Sequence, residues 1–242
     1  MAGLQKAIKI GADSNIGCNE DEQTPLMFAA QRGDEDAVKK LLQAKASVNA
    51  KDRQGTFVLS YGILSGKWSI FEQLIKAGAS VKPVKWKRES YGDDGSPVTS
   101  DAVYNPIVEA AALNDTRILK YILEKGGAAD GEAVFVATQN DNAAAIEILA
   151  AAKADLNGVY GKNHFTPLIS AARENRLKAL KALIAAGADL NKKDRVGFTA
   201  VMGAALYRKA DAVKLLIEAK ANLNVKSPQG KTALRITLEA KE

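Results

Sequence analysis

Residues 166–197 read TPLISAARENRLKALKALIAAGADLNKKDRVG, and this stretch decides the fold because the chain repeats it. Related stretches begin at Thr24, with TPLMFAAQRGDEDAVKKLLQAKASVNAKDRQG, and at Thr199, with TAVMGAALYRKADAVKLLIEAKANLNVKSPQG. Thr166, Thr199 and Thr232 follow one another at intervals of 33 residues. A fixed period of this length is the sequence signature of a repeat architecture, in which each copy packs on its neighbours.

Each copy predicts a pair of helices. A threonine can cap a helix whose first turn accepts proline, because the N–H that proline lacks is not needed there. Small residues such as Ala171 and Ala172 follow and would let a neighbouring helix approach closely. A second apolar pattern then recurs at helical spacing, as in Leu180 and Leu183, and the stretch 194–197 reads as a tight turn. One such hairpin cannot bury its apolar face alone, so stacked copies supply the core of a curved rod.

The pattern, including the Ala-Gly-Ala-Asp-Leu-Asn close at 186–191, resembles the ankyrin repeat. The resemblance implies an all-α solenoid of stacked helical hairpins with β-hairpin loops, containing six full repeats and partial repeats at both ends. We expect a single ankyrin-repeat domain over residues 1–242, although the histidine that usually follows Thr-Pro-Leu is replaced throughout. The expected segments are a partial repeat at 1–18, repeats at 19–51, 52–99, 100–127, 128–160, 161–193 and 194–226, and a cap at 227–242.

The stretch KPVKWKRESYGDDGSPVTSD, at residues 82–101, interrupts the pattern because it has no helical period. The equivalent positions Phe57 and Asn105 are 48 residues apart instead of 33. We therefore predict an inserted loop at 83–104. Insertions in repeat proteins map to loops on one face, which is often the binding face.

Two interpretations of this inserted loop are open. Long surface loops cost little free energy, so the insertion could be tolerated without a function. The loop nevertheless carries Trp86 and Tyr91 among cations such as Arg88, and aromatic side chains are enriched at interface hot spots. This composition favours a finger that contacts a specific partner.

Ankyrin proteins usually hold their partner in a concave groove, and the resemblance assigns groove positions to this chain. They are the residue before each Thr-Pro-Leu equivalent and the two residues after the double alanine. Several of them are apolar in adjacent copies, which predicts an exposed apolar patch flanked by arginines. For the two leucines in this set, Leu113 and Leu206, the alternative is ordinary packing between helices. With the finger, the predicted partner-binding residues are Trp86, Arg88, Tyr91, Tyr104, Leu113, Phe165, Arg173, Arg195, Phe198, Leu206 and Tyr207.

Residues that could perform catalysis are scarce. His164, the one histidine, stands where Gly55 and Gly197 stand in other turns, so it is interpreted as a turn residue with positive φ instead of a general base. No glycine-rich phosphate-binding motif and no cluster of histidine and cysteine occurs. We expect a protein that is not an enzyme and has no catalytic residue, no metal site and no cofactor.

Charge and hydropathy narrow the class of partner. The net charge of +6 comes from 34 basic and 28 acidic residues spread along the chain, without the concentrated basic stripe of a nucleic-acid-binding protein. No apolar run approaches the roughly 18 residues that a membrane span needs. We therefore expect no nucleic acid and no membrane contact, and a chain that is monomeric when free and binds one folded protein.

Two classes of function remain open. The first is a stoichiometric inhibitor or immunity protein, because the small bacterial ankyrin proteins that this chain resembles include inhibitors kept beside a paired enzyme. An analogous partner is a peptidoglycan endopeptidase, a hydrolase against which the cell must be protected. The second class is a scaffold or a host-directed effector. We expect a periplasmic protein if a signal peptide precedes this sequence, and a cytoplasmic one otherwise.

Overall fold

The computed structural model describes residues 15–91, 97–161 and 164–239, with only the backbone described at 88–91 and 97–101. The chain forms two compact units. The first contains residues up to Ala110 together with Arg117–Ala128, and the second contains Ala111–Thr116 together with the residues from Ala129 onward.

The first unit is built of helical hairpins and a two-stranded β-ribbon. Its elements in chain order are α1 (Pro25–Gln31), α2 (Glu35–Gln43), α3 (Val58–Leu64), α4 (Trp68–Lys76), β1 (Val84–Tyr91), β2 (Pro97–Tyr104) and α6 (Arg117–Glu124). Helix α5 (Pro106–Ala112) begins in this unit and ends in the next one.

The second unit repeats the hairpin without a comparable ribbon in its described residues. Its helices are α7 (Gly131–Gln139), α8 (Ala143–Ala151), α9 (Pro167–Glu174), α10 (Leu177–Ala185), α11 (Ala200–Leu206), α12 (Ala210–Glu218) and α13 (Ala233–Glu239). The predicted helical hairpins are confirmed. The predicted β-hairpin loops are present as single bridges, Lys51 with Phe57 and Tyr160 with Phe165. The exact repeat boundaries stay a prediction from the sequence.

The predicted threonine caps begin helices α1 and α9. The Thr24 hydroxyl accepts a hydrogen bond from the Met27 N–H, and the Thr166 hydroxyl accepts one from the Ile169 N–H at 3.2 Å. Both helices have proline in their first turn. Thr199 precedes α11 without such a bond, and its hydroxyl is buried without a partner.

Small residues let the first helices of neighbouring hairpins pack closely. Ala171 and Ala172 in α9 are fully buried, and Ala204 and Ala205 in α11 are at most 4% exposed. Helix α9 packs against α7 and α11, and α11 packs against α13. Because alanine occupies so little volume, the helix axes can approach without leaving a void between them.

Asparagines at the ends of successive copies connect each copy to the next. The side-chain oxygens of Asn157 and Asn191 accept hydrogen bonds from the backbone N–H groups of Asp189 and Asn222, both at 2.8 Å. The first unit has the same connection from Asn15 to Ser47, at 2.7 Å, and from Asn49 to Ser80, at 3.3 Å. We call these four bonds the asparagine ladder. It joins neighbouring copies at the level of their loops, while the alanines join them at their helices.

We predict that Asn157→Ala lowers the free energy of unfolding by about 1 kcal/mol, because it removes a bond between two copies and leaves the Asp189 N–H without its partner. Asn222→Ala is the matched control, since the Asn222 side chain accepts only from Asn224, two residues along the same turn. It should cost less than half as much. Urea unfolding followed by circular dichroism measures both, and equal losses would contradict a linking role for Asn157.

Candidate protein-binding surfaces

The predicted inserted loop is a β-ribbon. Strands β1 and β2 pair antiparallel, with Val84 opposite Tyr104 and Tyr91 opposite Pro97. The sequence predicts an insertion there but not its strand pairing. A signal was present, because Val84 and Trp86 alternate with Lys85 and Lys87, and the structure has the first pair half-buried and the second pair exposed.

Trp86 fixes the base of this ribbon to the preceding turn. Its ring lies directly against Gly55, where an added Cβ would overlap the ring, and the Lys51 ammonium lies 4.5 Å from the ring centroid. Gly55 has φ +85°, a backbone conformation that glycine adopts readily. Trp86, predicted to contact a partner, therefore has a packing role inside the chain, and its contact with a partner stays a prediction.

Tyr104 holds the other strand of the ribbon. Its ring stacks on Phe57 with centroids 4.9 Å apart, and its hydroxyl donates to the Glu109 carboxylate at 3.2 Å. Ser60 also donates to this carboxylate. Burial raises the pKa of Glu109, and burial followed by the nearby Glu109 charge raises the pKa of Tyr104 well above its ordinary value. Tyr104 is therefore a protonated donor at neutral pH, and it ties the end of β2 to α3 and α5.

The remaining finger residues lie further along the ribbon. The backbone of Arg88 pairs with Ser100, and that of Tyr91 pairs with Pro97. The side chains of Arg88 and Tyr91 lie outside the described residues, so their predicted contacts with a partner stay predictions.

A cation lies against two aromatic rings in the second unit. The Arg173 guanidinium carbon is 4.3 Å from the ring centroids of both Phe165 and Tyr207, and its Nη2 donates to the Tyr207 hydroxyl at 2.5 Å. The stem of Arg173 crosses Gly203, where an added Cβ would lie 2.8 Å from Arg173 Cγ. Arg173, predicted to flank an aromatic patch, lies at its centre.

An apolar pocket of about 270 Å³ adjoins this arrangement. Phe198, Leu206 and Ile236 contribute its apolar walls. Leu206, which lines the pocket, is 41% exposed, and Tyr207, which contacts Arg173, is 48% exposed. Consecutive residues of the chain therefore border the pocket and the arginine. We call Phe165, Arg173, Phe198, Leu206 and Tyr207 the Arg173 patch.

Two further predicted residues lie elsewhere in this unit. Arg195 is exposed in the turn before Phe198. Leu113 is half-buried, and its carbonyl oxygen accepts a hydrogen bond at 2.6 Å from Asn142, the residue that caps α8.

The interpretation of His164 as a turn residue is confirmed by its φ of 51°, which lies in the left-handed region that Gly55 and Gly197 occupy in other turns. Across the described residues, no group of three or more His, Cys, Asp or Glu side chains could hold a metal ion. None of the helices in that part of the chain is long and apolar enough to cross a membrane.

Comparison with known families now identifies the architecture. The model described as "Ankyrin repeats (3 copies)" matches residues 3–84 and 107–194, and the one described as "Ankyrin repeats (many copies)" matches residues 183–236. The chain belongs to the ankyrin repeat family. The interval between 84 and 107, which the first model leaves unmatched, contains the ribbon.

Individual relatives share only this module. The Arabidopsis thaliana potassium channel AKT2/3 is 30% identical over 60% of this chain and 17% of its own length. Rabankyrin-5 from Mus musculus is 27% identical over 71% of this chain and 14% of its own length. Thus the aligned segments span less than a fifth of either relative.

Solved structures show the same fold. The human ASB11 ankyrin repeat domain has a TM-score of 0.72 at 23% identity and covers 90% of this chain and 96% of its own. The Bcl-3 ankyrin repeat domain has a TM-score of 0.67 at 22% identity and covers 90% and 95%. Ankyrin repeats bind protein partners and are generally non-catalytic, so this chain is a protein–protein interaction module.

We predict that Gly55→Ala destabilises the protein more than Gly187→Ala does. Both glycines have φ +85°, so both substitutions carry a left-handed backbone cost of roughly 1–2 kcal/mol. Only Gly55 has a side chain against it, whereas Gly187 faces open space. The clash with Trp86 should add about 1–3 kcal/mol.

Urea unfolding of both variants measures this difference. When Gly55→Ala is added to Trp86→Ala, the further loss of stability should equal that of Gly187→Ala in the parent, because the overlapping ring is gone. Equal costs for Gly55→Ala and Gly187→Ala would show that Trp86 does not anchor the ribbon.

Proposed function

We propose that this protein is a stoichiometric inhibitor that binds one folded protein through the Arg173 patch and the ribbon. The observation that carries the proposal is the exposed cluster of large side chains around Arg173. Leu206 and Tyr207, 41% and 48% exposed, stand beside a stacked cation and an apolar pocket. Exposed apolar patches of this kind mark interaction sites, and Tyr and Arg are enriched among the residues that dominate binding energies.

The ribbon favours inhibition over simple attachment. Its two eight-residue strands interrupt the repeat pattern, and Trp86 and Tyr104 fix its base to the turn and helices beside it. A segment held in this way loses little conformational entropy when it binds, which suits insertion into the cleft of an enzyme. The class of partner that we propose is a hydrolase, with a peptidoglycan endopeptidase as the specific candidate.

This assignment makes the protein an immunity factor for the cell that produces the hydrolase. It places the protein in the periplasm if the full gene encodes a signal peptide, and in the cytoplasm otherwise. A hydrolase gene adjacent to this one would support the pairing. A scaffold or host-directed effector is the competing outcome, and it is recognised by binding that leaves the partner's activity unchanged.

We predict that Leu206→Asp weakens partner binding at least tenfold, which corresponds to about 1.4 kcal/mol, because a carboxylate replaces an apolar side chain in the pocket. Ile217→Asp is the control, since Ile217 is 48% exposed on α12 and lies outside the patch. Affinity purification from the source organism with the parent protein and both variants identifies the partner, and calorimetry then gives each Kd.

Since Leu206 is already 41% exposed, the melting temperature of Leu206→Asp should stay close to that of the parent. Binding that survives in Leu206→Asp, or is lost equally in Ile217→Asp, would contradict the assignment of the patch.

We predict that replacing residues 88–100 with a short glycine linker abolishes inhibition of the partner while the chain still folds. The free energy of unfolding depends only weakly on loop length, and the shortened protein retains the anchors Trp86 and Tyr104. The measurement is the partner's hydrolase activity against rising concentrations of the parent and of the shortened protein. Undiminished inhibition by the shortened protein would show that the outer part of the ribbon is not used.

A further inference from the structure

Arg173 has hydrogen-bonding capacity that the described residues do not use. A guanidinium group carries five N–H donors, and Arg173 donates to the Tyr207 hydroxyl. Among the described residues it pairs with no carboxylate, whereas the nearby Arg176 is paired with Glu174. In the described part of the chain, the Arg173 guanidinium therefore forms no ion pair.

The position of this charge is fixed before any partner arrives. The guanidinium carbon lies 4.3 Å from the ring centroids of both Phe165 and Tyr207, its Nη2 donates to the Tyr207 hydroxyl, and the stem crosses Gly203, which has no side chain to displace it. Arginine usually loses much side-chain entropy when it forms an ion pair, and this arrangement has already incurred that loss. A planar guanidinium held in place matches a carboxylate, which can accept two parallel hydrogen bonds from it.

The adjoining pocket has a different character. Phe198, Leu206 and Ile236 make it apolar, and the Lys231 ammonium at its edge is paired with Glu239. Because this edge charge is compensated, the pocket itself favours an apolar side chain. Leu206 lines the pocket and Tyr207 contacts Arg173, so the two subsites are one residue apart along the chain.

We propose that Arg173 binds a carboxylate of the partner and that the adjoining pocket takes an apolar side chain next to that carboxylate. This inference rests on the proposed function, which makes the patch a protein-binding surface. We assign this carboxylate to an Asp or Glu side chain, because such side chains are mostly exposed on the surface of a folded partner. A chain terminus is the alternative that the test distinguishes.

Three dipeptides separate these sources in NMR titrations of the full chain. The probes are acetyl-Glu-Leu-amide, with a side-chain carboxylate, acetyl-Gln-Leu with a free C-terminal carboxylate, and acetyl-Gln-Leu-amide, which is neutral. We expect acetyl-Glu-Leu-amide to bind at least fivefold more tightly than the neutral probe and to shift the Arg173 Nε–H and Leu206 methyl resonances. Tighter binding of acetyl-Gln-Leu than of acetyl-Glu-Leu-amide would overturn the assignment to a side chain.

Arg173→Gln should remove the preference for the acidic probe, and Arg176→Gln, which changes an arginine that is already paired, should keep it. If Arg173→Gln does not fold, Arg173→Lys replaces it, and this variant should bind the acidic probe several-fold more weakly because lysine lacks the planar fork. Equal binding of acidic and neutral probes, no binding of any probe, or an unchanged preference in Arg173→Gln would overturn the inference. The titration contains no partner protein, so a negative result there refutes only the carboxylate assignment. Partner binding that survives in Leu206→Asp would instead refute the proposed function.

Discussion

Contact between adjacent copies is the constraint on which the framework depends, and the asparagine ladder makes part of that contact. An amide oxygen near the end of one copy accepts the backbone N–H at the equivalent place in the next, as Asn157 does from Asp189 and Asn191 does from Asn222. This bond sets the spacing of neighbouring loops, while buried alanines such as Ala171 and Ala204 set the spacing of neighbouring helices. Within each unit, two kinds of contact between adjacent copies therefore define the framework.

The histidine that ankyrin repeats usually carry after Thr-Pro-Leu is absent from the equivalent positions of this chain. Met27, Ile169 and Met202 occupy those positions, and all three are at most 1% exposed. They contribute apolar area to the helix core. Polar connections between copies are made at the loops, where Asn157 and Asn191 accept their hydrogen bonds, and at the start of α10, where Asp141 accepts one from the Ala179 N–H at 2.8 Å.

Side chains outside this framework are available for binding. Arg173 has no role in the ladder and contacts two aromatic rings. The ribbon interrupts the repeat pattern and is held at its base by Trp86 and Tyr104. Both features place large, partly exposed side chains in fixed positions. Side chains held in fixed positions lose less conformational entropy on binding, and this favours a higher affinity for the partner.

Features that depend on the repeat period could be predicted from the sequence. The hairpins, the caps at Thr24 and Thr166 and the positive φ of His164 follow from local patterns and from comparison of equivalent positions. The 33-residue interval also placed Phe165 and Phe198 in adjacent copies.

Contacts between side chains that are distant in sequence could not be predicted. Trp86 packs on Gly55 and Tyr104 reaches Phe57, and neither pair leaves a periodic signal. The repeat period places Arg173 and Tyr207 in adjacent copies, but it does not predict their direct contact. The ribbon was missed for a related reason. Its alternation of apolar and polar residues is short, and strand pairing is determined by the partner strand as much as by the residues themselves.

Site-specific photo-crosslinking in the source organism tests most directly whether binding uses the surfaces outside the framework. A photoreactive amino acid replaces Leu206 in the patch, Val103 on the ribbon, or Ile217 on α12, and these side chains are 41%, 59% and 48% exposed. We expect positions 206 and 103 to crosslink to the same protein and position 217 not to crosslink to it. A crosslink that forms at 217 but not at 206 would contradict binding through these surfaces.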